Sequence, residues 1–382
     1  MLRKCILKRY FNNNQMKEKK VLHISANQYL DLSHNHHTKN IWIELAKGAT
    51  EYHIIARSKN NQFSTSKEGD IYLHLIPKIT ERQWSFFFTS WIMIYYIYKY
   101  NINILLAQCP IMGGFQAAIM SKLFKIPLMV EIHGNEYFDY AKKKKSLFLL
   151  LNWIQIFTFR RAKIIRSLSP KMSIKIKQIC SNLEPTIIPN RVNIELFSLP
   201  KNNHNIANNI TLVSVGRFVE AKNYITLIEV AKILNAELYL IGGGPYKEKY
   251  IDIILSEFKS KIHLIDWVNQ SELIHLITKA DIYIQSSISE GMPRTILEAM
   301  ALKMPIITTN VGSIEGIIIH KYNGLLITNP YNINEYISCI NELTHNNELR
   351  TSIANNAYFD ALNKYEWNKM FNLYRETIYN ML

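Results

Sequence analysis

Cysteine is scarce in this chain of 382 residues: Cys5, Cys109, Cys180 and Cys339 lie far apart and form no Cys-x-x-Cys pair. That excludes a disulfide scaffold and the common zinc spacings, and it reads as buried or incidental thiols in a reducing compartment. No Asp-x-Asp pair is present to hold a divalent ion. The full Gly-x-Gly-x-x-Gly spacing is missing too, so a nicotinamide cofactor is not indicated. Nothing before Val21 has the long apolar run of a secretory signal. The aromatic stretch from Trp84 to Tyr98 is broken by Ser85, Thr89 and Ser90, short of the roughly 20 apolar residues that a spanning helix needs. Acidic residues are absent from Arg82 to Val130 and again from Ala141 to Leu183, and the second segment holds eleven Lys and Arg.

What is present is a globular composition, 48% hydrophobic and 20% charged, with a formal charge of +15. A one-signed field concentrates anionic partners. An anionic membrane surface, a lipid-linked acceptor and a plain solvated basic face all remain open readings. Nucleic acid is not expected, because no zinc-finger spacing, RNA-recognition strand motif or basic zipper supports it. Leu147–Phe159, set between Lys142–Lys145 and Arg160–Arg161, reads equally as an interfacial helix or a buried one with charged ends.

The length suits two domains better than one. Short apolar runs alternate with helical patterns, which predicts α/β architecture with parallel sheets. Expected strands in the first half are Val21–Ser25, His53–Ala56, Ile71–Ile76, Ile104–Ala107, Leu128–Glu131, Ile164–Ser167 and Thr186–Ile188. Helices are expected over 84–98 and near Met112–Phe124, Ser146–Phe159 and Pro170–Cys180. In the second half the strands are Thr211–Val215, Glu237–Ile241, His263–Ile265, Ile282–Gln285 and Ile306–Thr308, with a helix from about Asn223 to Leu234. The expected division is a basic extension at 1–20, a Rossmann-like acceptor domain at 21–190, an Asn-rich linker at 191–209, a Rossmann-like nucleotide-sugar domain at 210–365, and a terminal helix at 366–382.

Ligands of such sheets bind beyond the carboxyl ends of strands, so the residues there carry the functional reading. Ser289-Glu290-Gly291-Met292-Pro293-Arg294 leads from a strand into a helix that carries Glu298. Gly291 permits close backbone approach, and free amides at a helix start favour phosphate or sugar oxygens. A carboxylate such as Glu298 suits a ribose diol, and Glu290 suits sugar hydroxyls. The alternative for either acid is the cap of an ordinary helix. Gly216-Arg217-Phe218-Val219-Glu220-Ala221-Lys222 places two cations after another strand, where they would stabilise a departing pyrophosphate without a metal. Two surface cations are the alternative. Gly242-Gly243-Gly244-Pro245 is a glycine-rich turn, and Asp266-Trp267-Val268 would line a base pocket or contribute a core tryptophan.

Taken in order, this set resembles the C-terminal half of family-4 retaining glycosyltransferases, the glycosyl transferases group 1 of the GT-B fold. It runs Gly-Arg then Lys, Gly-Gly-Gly-Pro, Trp-Val, Glu-x7-Glu and Asn323-Gly324-Leu325-Leu326, over about residues 211–330. The resemblance implies two Rossmann-like domains facing across a cleft. It also implies diphosphate binding by Arg217 and Lys222, ribose binding by Glu298, sugar binding by Glu290, and backbone contacts from Gly291 and Met292. Gly243, Trp267 and Val268 would complete the nucleotide pocket, and His133 of Glu131-Ile132-His133-Gly134 would face the transferred sugar. The implied donor is a nucleotide-diphosphate sugar, with no metal and no further cofactor. The implied acceptor is a glycan or lipid-linked glycan, in the cytoplasm at the inner membrane face. Two positions depart from the family pattern: Ser25-Ala26-Asn27-Gln28 replaces its Gly-Gly turn, and Arg191 replaces the hinge glycine.

Overall fold

A computed structural model describes residues 18–33, 37–79, 81, 86, 90–134, 148–197, 209–254 and 260–382. The expected extension, apart from its last three residues, falls outside the described residues. So do Lys142–Lys145, residues 84–85 and 87–89 of the aromatic stretch, and most of the Asn-rich linker. The chain forms two compact units, Met1–Glu131 with Leu149–Ile165 and Tyr374–Leu382, and Ile132–Phe148 with Arg166–Leu373.

In the first unit the strands are β1 (Lys20–Tyr29), β2 (Glu51–Ser58), β3 (Ser64–Glu68), β4 (Ile71–Ile76), β5 (Ile104–Ala107) and β6 (Leu128–Glu131). They lie in the order β3-β4-β2-β1-β5-β6, all parallel except β3, which runs antiparallel to β4. Its helices are α1 (His37–Ala46), α2 (Ser90–Tyr100), α3 (Gly114–Phe124) and α4 (Phe148–Arg161). Central strands buried on both faces read as continuous apolar runs, which is why Ile104–Ala107 and Leu128–Glu131 are so plain in the sequence. Leu22, Leu105, Leu128 and Val130 pack there with Ile97 and Ala117 of the helices. Strand β1 continues past its expected end at Ser25. It breaks register between Ile24 and Gln28 and then pairs Gln28 with Arg57.

The strand β7 (Ile164–Ser167) is followed by α5 (Pro170–Ile179) and by β8 (Thr186–Ile187), with which β7 pairs in parallel. Ser169 caps α5, its hydroxyl accepting from the Met172 amide, with Pro170 at the first helical position.

The second unit's main sheet is wholly parallel, in the order β11-β10-β9-β12-β13-β14. Its strands are β9 (Thr211–Val215), β10 (Glu237–Ile241), β11 (Ile262–Ile265), β12 (Ile282–Gln285), β13 (Ile306–Thr309) and β14 (Leu325–Ile327). The helices are α6 (Tyr224–Leu234), α7 (Lys247–Ile254), α8 (Gln270–Lys279), α9 (Arg294–Ala301), α10 (Ile333–His345), α11 (Asn347–Lys364) and α12 (Trp367–Tyr379). Leu212, Leu227, Leu238, Ile284, Ile307 and Ile340 belong to one apolar core. The chain winds outward from β9 to β11 and then returns to lay β12 against the other side of β9. That reversal opens a crevice at the carboxyl ends of β9 and β12, where ligands of doubly wound sheets settle. The first unit reverses in the same way between β1 and β5.

Candidate functional site

At the β9/β12 reversal the structure brings together residues from two motifs that lie far apart in the chain. Lys222 closes a single 3-10 turn, Glu220–Lys222, between β9 and α6. Glu290 stands in the loop between β12 and α9. Lys222 Nζ meets Glu290 Oε1 at 2.5 Å, with both side chains largely buried. The same carboxylate oxygen accepts from Gln285 Nε2 at 2.7 Å and from Ser287 Oγ at 2.7 Å. Gln285 Nε2 also donates to Ser287 Oγ at 3.0 Å, and Tyr283 donates its hydroxyl to Gln285 Oε1 at 3.3 Å. Backbone bonds tie the two loops further: Ile288 N–H donates to the Ala221 carbonyl at 2.9 Å, and Ser286 Oγ to the Lys222 and Asn223 carbonyls, each at 2.9 Å. One cation and two neutral donors thus converge on a single carboxylate oxygen in a part-buried crevice.

Glycine makes this approach possible. A Cβ on Gly216 would stand 2.9 Å from Lys222 Cε. One on Gly244, whose φ is +155°, would stand 2.5 Å from the Phe218 carbonyl oxygen. Phe218 in turn donates its amide to the Gly243 carbonyl at 2.9 Å, so the β9 and β10 loops are stitched together at the glycine-rich turn. Arg217, between Gly216 and Phe218, carries an exposed side chain.

Trp267 is no core residue. It is 68% exposed, and its indole lies over Gly243, where a Cβ would stand 2.5 Å from Nε1. Val268, half-buried, follows it. This leaves an indole face beside the glycine turn, a suitable wall for a planar base.

Glu298, half-buried on α9, lies on the helix that Glu290's loop leads into. Burial pushes its carboxyl up from the ordinary range, and the Arg294 charge opposes that shift. Met292 is buried, and its carbonyl accepts from Asn190 Nδ2 at 2.7 Å. Gly291 is explained by the chain's own backbone: a Cβ there would stand 2.1 Å from the His133 carbonyl oxygen. His133 thus reaches the Glu290 loop through its main chain, while its imidazole is exposed. Only glycine at 291 allows that contact, and the sequence carries no signal of it.

The hinge departure has a physical reason as well. The Arg191 guanidinium lies 3.8 Å from the Phe371 ring centroid and 5.7 Å from that of Trp367. Val192 also donates its amide to the Tyr365 carbonyl at 2.9 Å. A cation held over two aromatic faces fixes the segment where a glycine would leave it loose.

The residues missed by sequence reasoning are Gln285, Ser287 and Asn190. Gln285 ends β12 and Ser287 lies two residues beyond it, so their position at a strand end is the available signal. Among the described residues no group of three or more His, Cys, Asp or Glu is arranged to hold a metal ion.

Residues 198–359 match the model of the family described as glycosyl transferases group 1. The chain is 26% identical over 326 residues to an uncharacterized glycosyltransferase of Methanocaldococcus jannaschii, covering 84% of this chain and 87% of that one. It is 25% identical over 250 residues to the UDP-Gal:alpha-D-GlcNAc-diphosphoundecaprenol alpha-1,3-galactosyltransferase of Escherichia coli, covering 60% of this chain and 62% of that one. The second match thus spans less than two thirds of the relative. Among solved structures, sucrose-phosphate synthase from Thermosynechococcus elongatus aligns over 95% of this chain and 100% of its own, with TM-score 0.79 at 14% identity. Anabaena HepE in complex with UDP-glucose aligns over 95% and 100%, with TM-score 0.72 at 16% identity. At these identities the structural likeness shows the fold, which is GT-B, with two Rossmann-like α/β units.

Proposed function

We propose that this chain is a family-4 retaining glycosyltransferase that moves a hexosyl unit from a nucleotide-diphosphate sugar to a glycan or lipid-linked glycan. The observation that carries the reading is the convergence of Lys222 and Glu290 at the β9/β12 reversal. In this scheme Lys222 and Arg217 meet the diphosphate, Glu298 the ribose hydroxyls and Glu290 the sugar hydroxyls. Gly291 and Met292 contribute backbone, Gly243, Trp267 and Val268 hold the base, and His133 contributes to the sugar side.

Donor binding draws Lys222 from Glu290 toward phosphate, and Gln285 and Ser287 keep the carboxylate in place for the sugar. The bond from the anomeric carbon to the phosphate oxygen breaks, and negative charge develops on a leaving group already faced by two cations. The acceptor hydroxyl attacks the anomeric carbon from the same face, and the leaving phosphate oxygen takes its proton. No metal or other cofactor takes part. The names of the relatives support the donor class, UDP-Gal for the E. coli enzyme and UDP-glucose for the HepE complex, and the former's diphosphoundecaprenol substrate supports a lipid-linked acceptor. The setting would be surface polysaccharide or lipopolysaccharide assembly at the inner face of the cytoplasmic membrane.

A thermal-shift screen against uridine, guanosine and adenosine diphosphate sugars tests the reading. A tight donor raises the midpoint by mass action, and a flat response to all of them counts against it. The bulged end of β1, where the family pattern has two glycines, favours one rival: a catalytically inactive glycan- or lipid-binding protein of the same fold. Turnover with any donor and acceptor removes that rival.

A further inference from the structure

The helix α4 is apolar on its outward face as well as on the face that buries Leu151, Ile154 and Phe159. Its outward positions are Leu149, Leu150, Trp153, Ile156, Phe157, Arg160 and Arg161, the spacing of one helical face. Leu149 is 78% exposed and Trp153 55%, whereas the polar Gln155 and Thr158 are 1% and 0% exposed. A helix facing water places its polar side chains outward, so this face is shaped for contact with something apolar. Around it the charge has one sign. A groove of about 300 Å³ is lined by Lys122, Trp153, Ile156, Phe157, Arg160 and Arg161. A second cavity, of about 420 Å³, shares Arg161 and adds Lys125 and Lys163. Among the described residues no carboxylate side chain lines either one. Arg161 Nη2 donates to the Ser121 carbonyl at 2.9 Å and Lys163 Nζ to the Met381 carbonyl at 2.7 Å, which directs both cations toward this rim.

We infer that this face of the first unit docks on an anionic phospholipid bilayer. Leu149 and Leu150 enter the acyl boundary, Trp153 sits at its headgroup edge, and Lys122, Lys125, Arg160, Arg161 and Lys163 meet the headgroup phosphates. Two turns of apolar side chains ending in arginines match the depth profile of a membrane interface, with tryptophan at the headgroup level. A protein partner matching five cations would need a dense acidic face, whereas an anionic leaflet supplies that charge everywhere. No helix among the described residues is long and apolar enough to cross a membrane, so this docking is peripheral. The cationic end of this surface lies near Pro127 and Lys163, at the amino ends of β6 and β7. None of its residues belongs to the β9/β12 crevice, so the docking stands independently of the sugar-transfer reading.

Co-sedimentation of the full chain with vesicles tests it. Vesicles of phosphatidylcholine containing about one-third phosphatidylglycerol should pellet the protein, and phosphatidylcholine alone should do so at least about tenfold less well. Replacing Leu149, Leu150 and Trp153 together by Gln should abolish pelleting without unfolding, because these side chains are already exposed. Lys122→Ser with Arg160→Ser should weaken it about tenfold and flatten its salt dependence. Nucleoside-diphosphate binding by the same variants, read by calorimetry, should stay unchanged, which separates failure here from failure of the transferase reading. Equal partition onto neutral and anionic vesicles, or no pelleting at all, overturns the inference. So does a lipid-free dimer that the triple Gln variant converts to monomer, since a second copy would then cover the face.

Discussion

Both sheets reverse their winding once, and the two reversal points differ in how they hold charge. In the first unit, at the carboxyl end of β1, Ser25 Oγ donates to Gln108 Oε1 at 2.7 Å and Asn27 Nδ2 reaches the same oxygen at 3.5 Å, while the buried Arg57 guanidinium donates from Nε to the Ala26 carbonyl at 2.7 Å. In the second unit the β9/β12 crevice holds an ion pair braced by an amide and a hydroxyl. Charge at the second suits an activated, diphosphate-bearing donor. The uncharged side chains of Ser25, Asn27 and Gln108 at the first suit hydroxyl groups. Glycine draws the same contrast. Gly216, Gly242, Gly243 and Gly244 let the β9 and β10 loops close to contact, whereas β1 has no glycine at its end and simply runs on into register with Arg57.

Exchanging the properties of the two crevices should have unequal consequences. Lys222→Ala is expected to lower transfer about 10²- to 10³-fold with the fold retained, as for removal of one transition-state donor. Ser25→Ala at the first unit's reversal should change donor turnover by less than about fivefold. Steady-state kinetics on both variants, together with their circular dichroism, check this.

Next in size is backbone. Gly244→Ala forces a methyl onto the Phe218 main chain at positive φ and should cost about 2–4 kcal/mol in urea denaturation. Gly69→Ala, also at positive φ but with open space around it, should cost only about 1–2 kcal/mol.

Gln285→Ala and Ser287→Ala loosen Glu290 without touching the diphosphate. Each should lower kcat/KM roughly tenfold, the scale of a hydrogen bond to a charged group.

The smallest effect lies in the first unit. His53 Nδ1 and His74 Nε2 share a buried hydrogen bond of 3.0 Å. Burial lowers both, His74 to about 3 from an ordinary 6.5, while Glu51 partly opposes the shift at His53. The folded protein keeps them neutral and the unfolded chain protonates them. Their contribution is therefore full above about pH 6.5 and is lost as pH falls toward about 3, roughly 1–2 kcal/mol by about pH 5. Denaturation across that range should show the slope, and His74→Gln should flatten it.

Much of this architecture is legible in the sequence where strands are buried on both faces. Thr211–Val215, Glu237–Ile241 and Ile282–Gln285 stand where their apolar runs place them. What escapes is governed by tertiary context. Strand β3, Ser-Thr-Ser-Lys-Glu, is a largely exposed edge with no apolar face to reveal it, and α1 has only a modest stripe around Trp42 and Leu45. Strand β14 hides in Leu325–Ile327, too short to read alone. At the site, the acids and cations were readable as motif members, because their spacing is local. The brace on Glu290 was not, because Gln285 and Ser287 act through orientation. The contact of Gly291 with His133 joins residues that no local pattern connects.

The central claim is best tested by titration calorimetry of the full chain with a panel of nucleoside diphosphates, repeated on Lys222→Ala and Glu298→Gln. The account predicts saturable binding of one member of the panel, weakened at least about tenfold in both variants. Undiminished binding by the variants, or no binding by the native chain to any of the panel, would contradict it.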